Sequence, residues 1–152
     1  MKKVFALILA VMMIASLSLT AFAANTTGGD AEITTSISPT YTVTIPANTA
    51  VAFNATETAF GEIKVEAAQI HPDKCIKVVL NSDNKLENSI DATKVIPYAI
   101  KDSTGAAFTS ATYLAAGEKT ELSIHITQND WNAAYAGEYS DTVTFTVSYE
   151  NQ

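Results

Sequence analysis

Asp141-Thr142-Val143-Thr144-Phe145-Thr146-Val147-Ser148-Tyr149 alternates without a break, placing Val143, Phe145, Val147 and Tyr149 on one face and Thr142, Thr144, Thr146 and Ser148 on the other. Period two is the mark of a β-strand with one dry face and one wet face. The same pattern recurs upstream. Ile33, Thr35 and Ile37 alternate, as do Tyr41, Val43 and Ile45, then Ile63 and Val65 between Glu62, Lys64 and Glu66. Ile76, Val78 and Leu80 form a further block, and Leu122, Ile124 and Ile126 alternate with Ser123, His125 and Thr127. Turn-forming clusters separate these blocks: Ser38-Pro39, Pro46-Ala47-Asn48, His71-Pro72-Asp73, Asn81-Ser82-Asp83-Asn84, Asp102-Ser103-Thr104-Gly105, Ala116-Gly117-Glu118 and Ala136-Gly137-Glu138. Short alternating strands at such spacing predict an all-β domain, an immunoglobulin-like antiparallel β-sandwich of eight or nine strands, with a closed β-barrel as the alternative. The only helical candidate, Asp130 to Tyr135, is one turn linking two strands.

The first residues read as an export leader. Lys2 and Lys3 precede an apolar run from Val4 to about Ile14, and Ala21-Phe22-Ala23 has the small-x-small form of a cleavage site, so residues 1–23 are expected to be a signal peptide. The apolar core is shorter than the roughly 20 residues that span a bilayer, no cationic stop signal follows it, and no lipobox cysteine is present. Residues 24–30 are a flexible lead-in of Ala, Asn, Thr and Gly, and residues 31–152 form a single β-sandwich domain. The expected location is extracellular, in association with the cell surface.

Once the leader has gone, seven lysines face sixteen acidic residues, a net charge of about −9, which repels nucleic acid and anionic membranes. The chain has no arginine, hence none of the planar forks that hold phosphate or carboxylate in two hydrogen bonds. Cys75 is the only cysteine, which precludes an intrachain disulfide; it reads as a small buried hydrophobe of a strand, with an exposed thiol bridging two molecules as the alternative.

Catalytic and metal chemistry find little footing. His71, Asp73 and Cys75 would share a face if extended, as three metal ligands must, but Pro72-Asp73 signals a turn that breaks that face. A Cys75–His71 nucleophilic pair lacks an arginine for the oxyanion, His125 reads as a strand-face histidine, and no Gly-x-Ser-x-Gly elbow occurs. Glu62 and Glu66, like Glu118 and Glu121, are read as solubilising charges; four strand positions hold the first pair about 13 Å apart, too far for a glycosidase pair. Asn81, Asp83, Asn84 and Glu87 lack the glycine and ligand order of a calcium loop. The chain is therefore expected to be a non-enzyme without metal or cofactor.

The segment from Trp131 to Tyr149 resembles the closing hairpin of spore coat protein U and archaic chaperone-usher pilin domains, whose last strand opens on Gly-x-Tyr-x-Asp-x-hydrophobic-Thr. Here Gly137, Tyr139, Asp141, Val143 and Thr144 occupy those places. The opening Tyr41-Thr42-Val43-Thr44-Ile45-Pro46 is similar to that of immunoglobulin-like domains in small secreted Gram-positive bacterial surface proteins. The resemblance implies a β-sandwich with a place at the cell surface. The single cysteine departs from the disulfide common in such pilins, and a leader of Firmicutes type departs from an envelope that holds an usher.

Two functions follow from these residues. The first is an exported, non-enzymatic structural or adhesive module whose partners are surface proteins or glycans, with Asp30 to Ile37 expected as an N-terminal strand that pairs with a sheet edge of its own molecule or, by strand-exchange self-association, of a neighbour. The second is a small carbohydrate-binding protein in which Trp131 and Tyr135, with Tyr139 nearby, stack on sugar rings and Asn132 and Asp130 supply polar contacts; otherwise these aromatics belong to the core and corner of the sandwich.

Overall fold

In the computed structural model, residues 30–152 are described; the expected leader and nearly all of the lead-in lie outside the described residues. The strands are β1 (Thr40–Thr44), β2 (Glu57–Gln69), β3 (Lys74–Asn81), β4 (Lys85–Asn88), β5 (Val95–Pro97), β6 (Ala99–Asp102), β7 (Ser110–Tyr113), β8 (Lys119–His125), β9 (Tyr139–Ser140) and β10 (Thr144–Asn151). The one helix among the described residues, α1 (Gln128–Ala133), is short. All pairings are antiparallel. One sheet has the order β1-β2-β8-β6, the opposing sheet β10-β3-β7, and a small third sheet β5-β4-β9. The molecule is the antiparallel β-sandwich expected from the alternation, and its sheets do not close into a barrel.

The core lies where the alternation predicts. Ile63, Val65 and Leu122 from the first sheet are buried with Ile76, Val78 and Tyr113 from the second. Ile96, Tyr98, Ile100, Phe108 and Ile126 complete it. The outer face of β2 and β8 carries ion pairs: Lys119 reaches Glu62 at 3.1 Å and Glu121 at 2.7 Å, and Lys64 reaches Glu66 at 2.8 Å. Glu118 serves the preceding turn, accepting from the Leu114 N–H at 2.5 Å and the Ala115 N–H at 3.1 Å.

The first alternating block behaves differently. Residues 30–39 enter no strand and are exposed throughout, with Ile33 at 97% and Ile37 at 66%. Alternation supplies a strand with two faces but names no partner, and the segment joins no ladder although β1 and β10 are both edge strands. The sandwich proper starts at Thr40. β4, β5, β6, β7 and β9 were not legible as strands, since two to four residues are too few to show a period of two.

One side of the sandwich is open. β1 is an edge of the first sheet and β10 an edge of the second, and they meet through the rings of Tyr41 and Tyr149, 5.8 Å apart. Next to them Phe60 of β2 and Phe145 of β10 lie with ring centres 6.0 Å apart, both only half-buried. The register of β1 on β2 shifts between Thr42 and Val43, whereas β10 pairs with β3 in unbroken register from Thr144 to Asn151.

Candidate functional site

A groove of about 820 Å³ runs along this open side, walled by Phe60, Phe145, Ile124, Leu86 and Tyr139. It exists because the β1–β2 connection and the β9–β10 connection spread apart instead of pairing. Neither Ala47–Val51 nor Asp141–Val143 makes a backbone hydrogen bond to another segment of the described chain. Within Ala47–Val51, Thr49 Oγ1 donates to the Phe60 carbonyl at 3.3 Å; farther along the same connection Ala55 and Thr56 accept from the Trp131 indole and the Ile126 N–H. At Gly61, φ is +122° and a Cβ would touch Pro46 at 3.4 Å; glycine there lets β2 bulge against the connection that follows β1.

A three-residue polar cluster closes one wall. The Tyr98 phenol donates to Asp141 Oδ2 at 2.5 Å and lies 2.9 Å from Ser82 Oγ, which itself reaches Asp141 Oδ2 at 3.2 Å. Burial, then the hydrogen bond to the Asp141 carboxylate, push the Tyr98 phenol well above its ordinary range. Three connections are thus joined through one buried hydroxyl. This cluster had no local signal, because Ser82, Tyr98 and Asp141 come from three separate parts of the chain.

The expected aromatic site is divided by the fold. Trp131, on α1, is half-buried; its indole N–H donates to the Ala55 carbonyl at 2.9 Å, and its ring meets Phe53 edge to face at 5.7 Å. Asn132 is exposed beside it and accepts a hydrogen bond from Gln128 Nε2 at 3.2 Å. Tyr135 does not join them. The helix ends at Ala133, Ala134 turns to extended backbone with ψ 140°, and Tyr135 is carried off the helical face that would have aligned it with Trp131. Its ring is 63% exposed, with Lys94 Nζ 4.8 Å from its centre. Tyr139 ties this corner, its hydroxyl accepting from the Tyr135 N–H at 3.1 Å and donating to the Tyr135 carbonyl at 3.0 Å.

His71, Asp73 and Cys75 do not converge. The chain turns at Pro72-Asp73, leaving the His71 imidazole on the Asp73 carboxylate in solvent, while Cys75 is buried with Sγ 3.7 Å from the Asn151 carbonyl. The hydrogen bond from His71 holds the Asp73 carboxyl below its usual range. His125 lies 2.9 Å from Ser123 Oγ on the outer side of β8. Asp83 accepts from the Lys85 N–H at 3.1 Å and Asn84 takes φ 59°, so the loop after β3 is occupied with its own turn. Among the described residues, no group of three His, Cys, Asp or Glu side chains is placed to hold a metal ion.

No family model matches the chain. No curated protein matches it either. A solved structure similar to this chain belongs to the chaperone-tip adhesin complex of CFA/I fimbriae biogenesis, at 12% identity and a TM-score of 0.47. The match covers 74% of this chain and 43% of that one, so this chain spans less than half the length of its neighbour.

Proposed function

We propose that the protein is an exported, non-enzymatic structural or adhesive module of the cell surface, working through sheet edges. The observation that carries this reading is the state of β10. Sheet edges in monomeric proteins are blunted by lysine, proline, bulges or a covering segment, because an unpaired row of N–H and C=O groups is a template for another strand. β10 has eight residues, no lysine or proline and no register shift, and its partly buried Phe145 lies against Phe60 of β2. The same chain supplies an unpaired segment of strand alternation, residues 30–37, with Ile33 and Ile37 in solvent. An added strand gains main-chain hydrogen bonds and pockets for alternate side chains. This geometry favours edge association over a sugar platform of Trp131, Asn132 and Tyr135, since Tyr135 stands apart from the other two.

Two measurements test the reading together. Antibody raised to the domain should label intact cells, and the exported protein should elute from size exclusion with a mass that rises with concentration. Replacing Ile33 and Ile37 by Asp should abolish the rise and leave the fold intact. A protein confined to the cell interior, or one that stays monomeric at every concentration, overturns it.

A further inference from the structure

At the end of the open side, five neutral side chains come together, two of which, Phe53 and Trp131, also line the groove. Phe53 is 77% exposed, the least buried aromatic among the described residues, and its ring is fixed against the Trp131 indole edge to face. The indole cannot swing away, because its N–H is bonded to Ala55 and its body packs on the core. Beside the aromatic pair lies a row of three amides. Gln128 Nε2 donates to Asn54 Oδ1 at 3.4 Å and to Asn132 Oδ1 at 3.2 Å, which consumes both of its protons. The amide groups of Asn54 and Asn132 and the carbonyl of Gln128 have no hydrogen-bond partner among the described residues. The row thus offers donor, acceptor and donor in order.

The backbone holds these groups in place. The Ala55 N–H donates to Ala52 at 3.0 Å across a turn in which Asn54 adopts φ 64°, a conformation asparagine tolerates better than most residues. Gln128 and Asn132 stand one helical turn apart on α1, whose start is capped by Thr127 accepting from the Asp130 N–H at 3.2 Å. Little ordering remains for a ligand to impose.

We infer that this cluster of Phe53, Asn54, Gln128, Trp131 and Asn132 binds a neutral hexopyranose oligosaccharide. The C–H face of a pyranose is apolar with a slight positive charge, complementary to the negative face of an aromatic ring. Vicinal hydroxyls, each both donor and acceptor, match an alternating amide row. No member of the cluster is charged, the chain has no arginine, and its net charge is −7, so anionic sugars find no counter-ion and meet repulsion. No residue of β10 belongs to the cluster, although Phe53 and Trp131 line the same groove as Phe145.

Trp131 is the only tryptophan, so its fluorescence reports on this end of the groove. The exported protein is titrated with cellopentaose, mannopentaose and N-acetylchitopentaose, with sialyllactose as the anionic control, and the side-chain amide resonances are followed in parallel. The expected result is that at least one neutral pentasaccharide quenches Trp131 and moves the Asn54 and Asn132 amides, while sialyllactose does neither. Phe53→Ala and Gln128→Ala should each weaken binding about tenfold, as removal of a central contact does, with an unchanged melting temperature because both side chains are exposed; Phe53→Tyr, which keeps the ring, should bind as the parent does. Four outcomes overturn the inference: no neutral sugar moves the amides up to about 10 mM, a concentration at which even weak sites fill; sialyllactose acts equally; Phe53→Ala binds unchanged; or a peptide of residues 30–39 moves the same amides while the sugars do not.

Discussion

Tyr98 is the residue on which the open side depends. Its hydroxyl meets both the β3–β4 turn and the β9–β10 connection, through Ser82 and Asp141, and its N–H donates to the Asn84 carbonyl at 3.0 Å. Removing a hydrogen bond to a charged partner costs about 1.5–3 kcal/mol, so Tyr98→Phe should lower stability by about 2 kcal/mol in chemical denaturation. Its pH dependence has a definite sign. The folded phenol titrates above the 10.0 of a free tyrosine, so the unfolded chain loses its proton first as pH rises. The stabilisation is complete below about pH 10 and falls as pH rises beyond it. Melting curves between neutral and strongly alkaline pH should therefore show a steeper loss in the parent than in Tyr98→Phe. A residual slope will remain from Tyr113, whose phenol is also raised by burial. At this same scale Trp131 illustrates what a sequence withholds: its indole serves the core and faces Phe53 at once, a division that depends on Ala55, seventy-six residues away.

Among the elements, β10 was the most legible and its environment the least. The face assignment holds: Val143, Phe145 and Val147 turn inward and Thr144 and Thr146 outward. Burial does not follow from the facing alone. A fully enclosed phenylalanine loses about 3–5 kcal/mol on truncation to alanine; Phe145 borders the groove and is half-buried, so Phe145→Ala should cost about 2–3 kcal/mol, less than that range. Thr144→Ala should stay within about 0.5 kcal/mol, as exposed substitutions do. Equal losses in denaturant titrations would reverse the register. The turn before β9 is a second case. Gly137 has φ 148° and faces the side chain of Asn88, the one buried polar residue among those described, whose Oδ1 accepts from the Ile90 N–H at 2.9 Å. A Cβ at Gly137 would strike that amide in a backbone conformation side chains avoid, so Gly137→Ala should cost about 2 kcal/mol or more. The turn itself could be read from Ala136-Gly137-Glu138, but Asn88 as its support could not.

For the molecule as a whole, stability rests on packing between the two main sheets, and residues 30–39 lie outside that packing. Deleting residues 24–37 should leave the melting temperature within about 2 °C of the parent, the shift of a change below 1 kcal/mol, while removing concentration-dependent association. A large fall in melting temperature would mean that the segment pairs within its own molecule. EDTA with reductant should also leave the melting curve in place, since Cys75 is buried and unpaired and the core is apolar. A fall would reveal a bound metal or an intermolecular disulfide.

The sequence by itself determined the class of structure and much of its polarity. Period-two blocks are a local property: each strand needs only its own residues to state which face is dry, so β1, β2, β3, β8 and β10 and their core residues could be read directly. The turn clusters and the absence of arginine were equally local. What only the tertiary structure decided was closure and juxtaposition. Whether Phe60 and Phe145 are sealed depends on how two distant connections pass each other, and the alternation of Ile33 and Ile37 does not say whether an edge will receive them. The grouping of Ser82, Tyr98 and Asp141, and of Phe53 and Asn54 with α1, joins residues from separate strands and loops. Such groupings arise from the order of strands across the sheets, and alternation along a chain carries no information about that order.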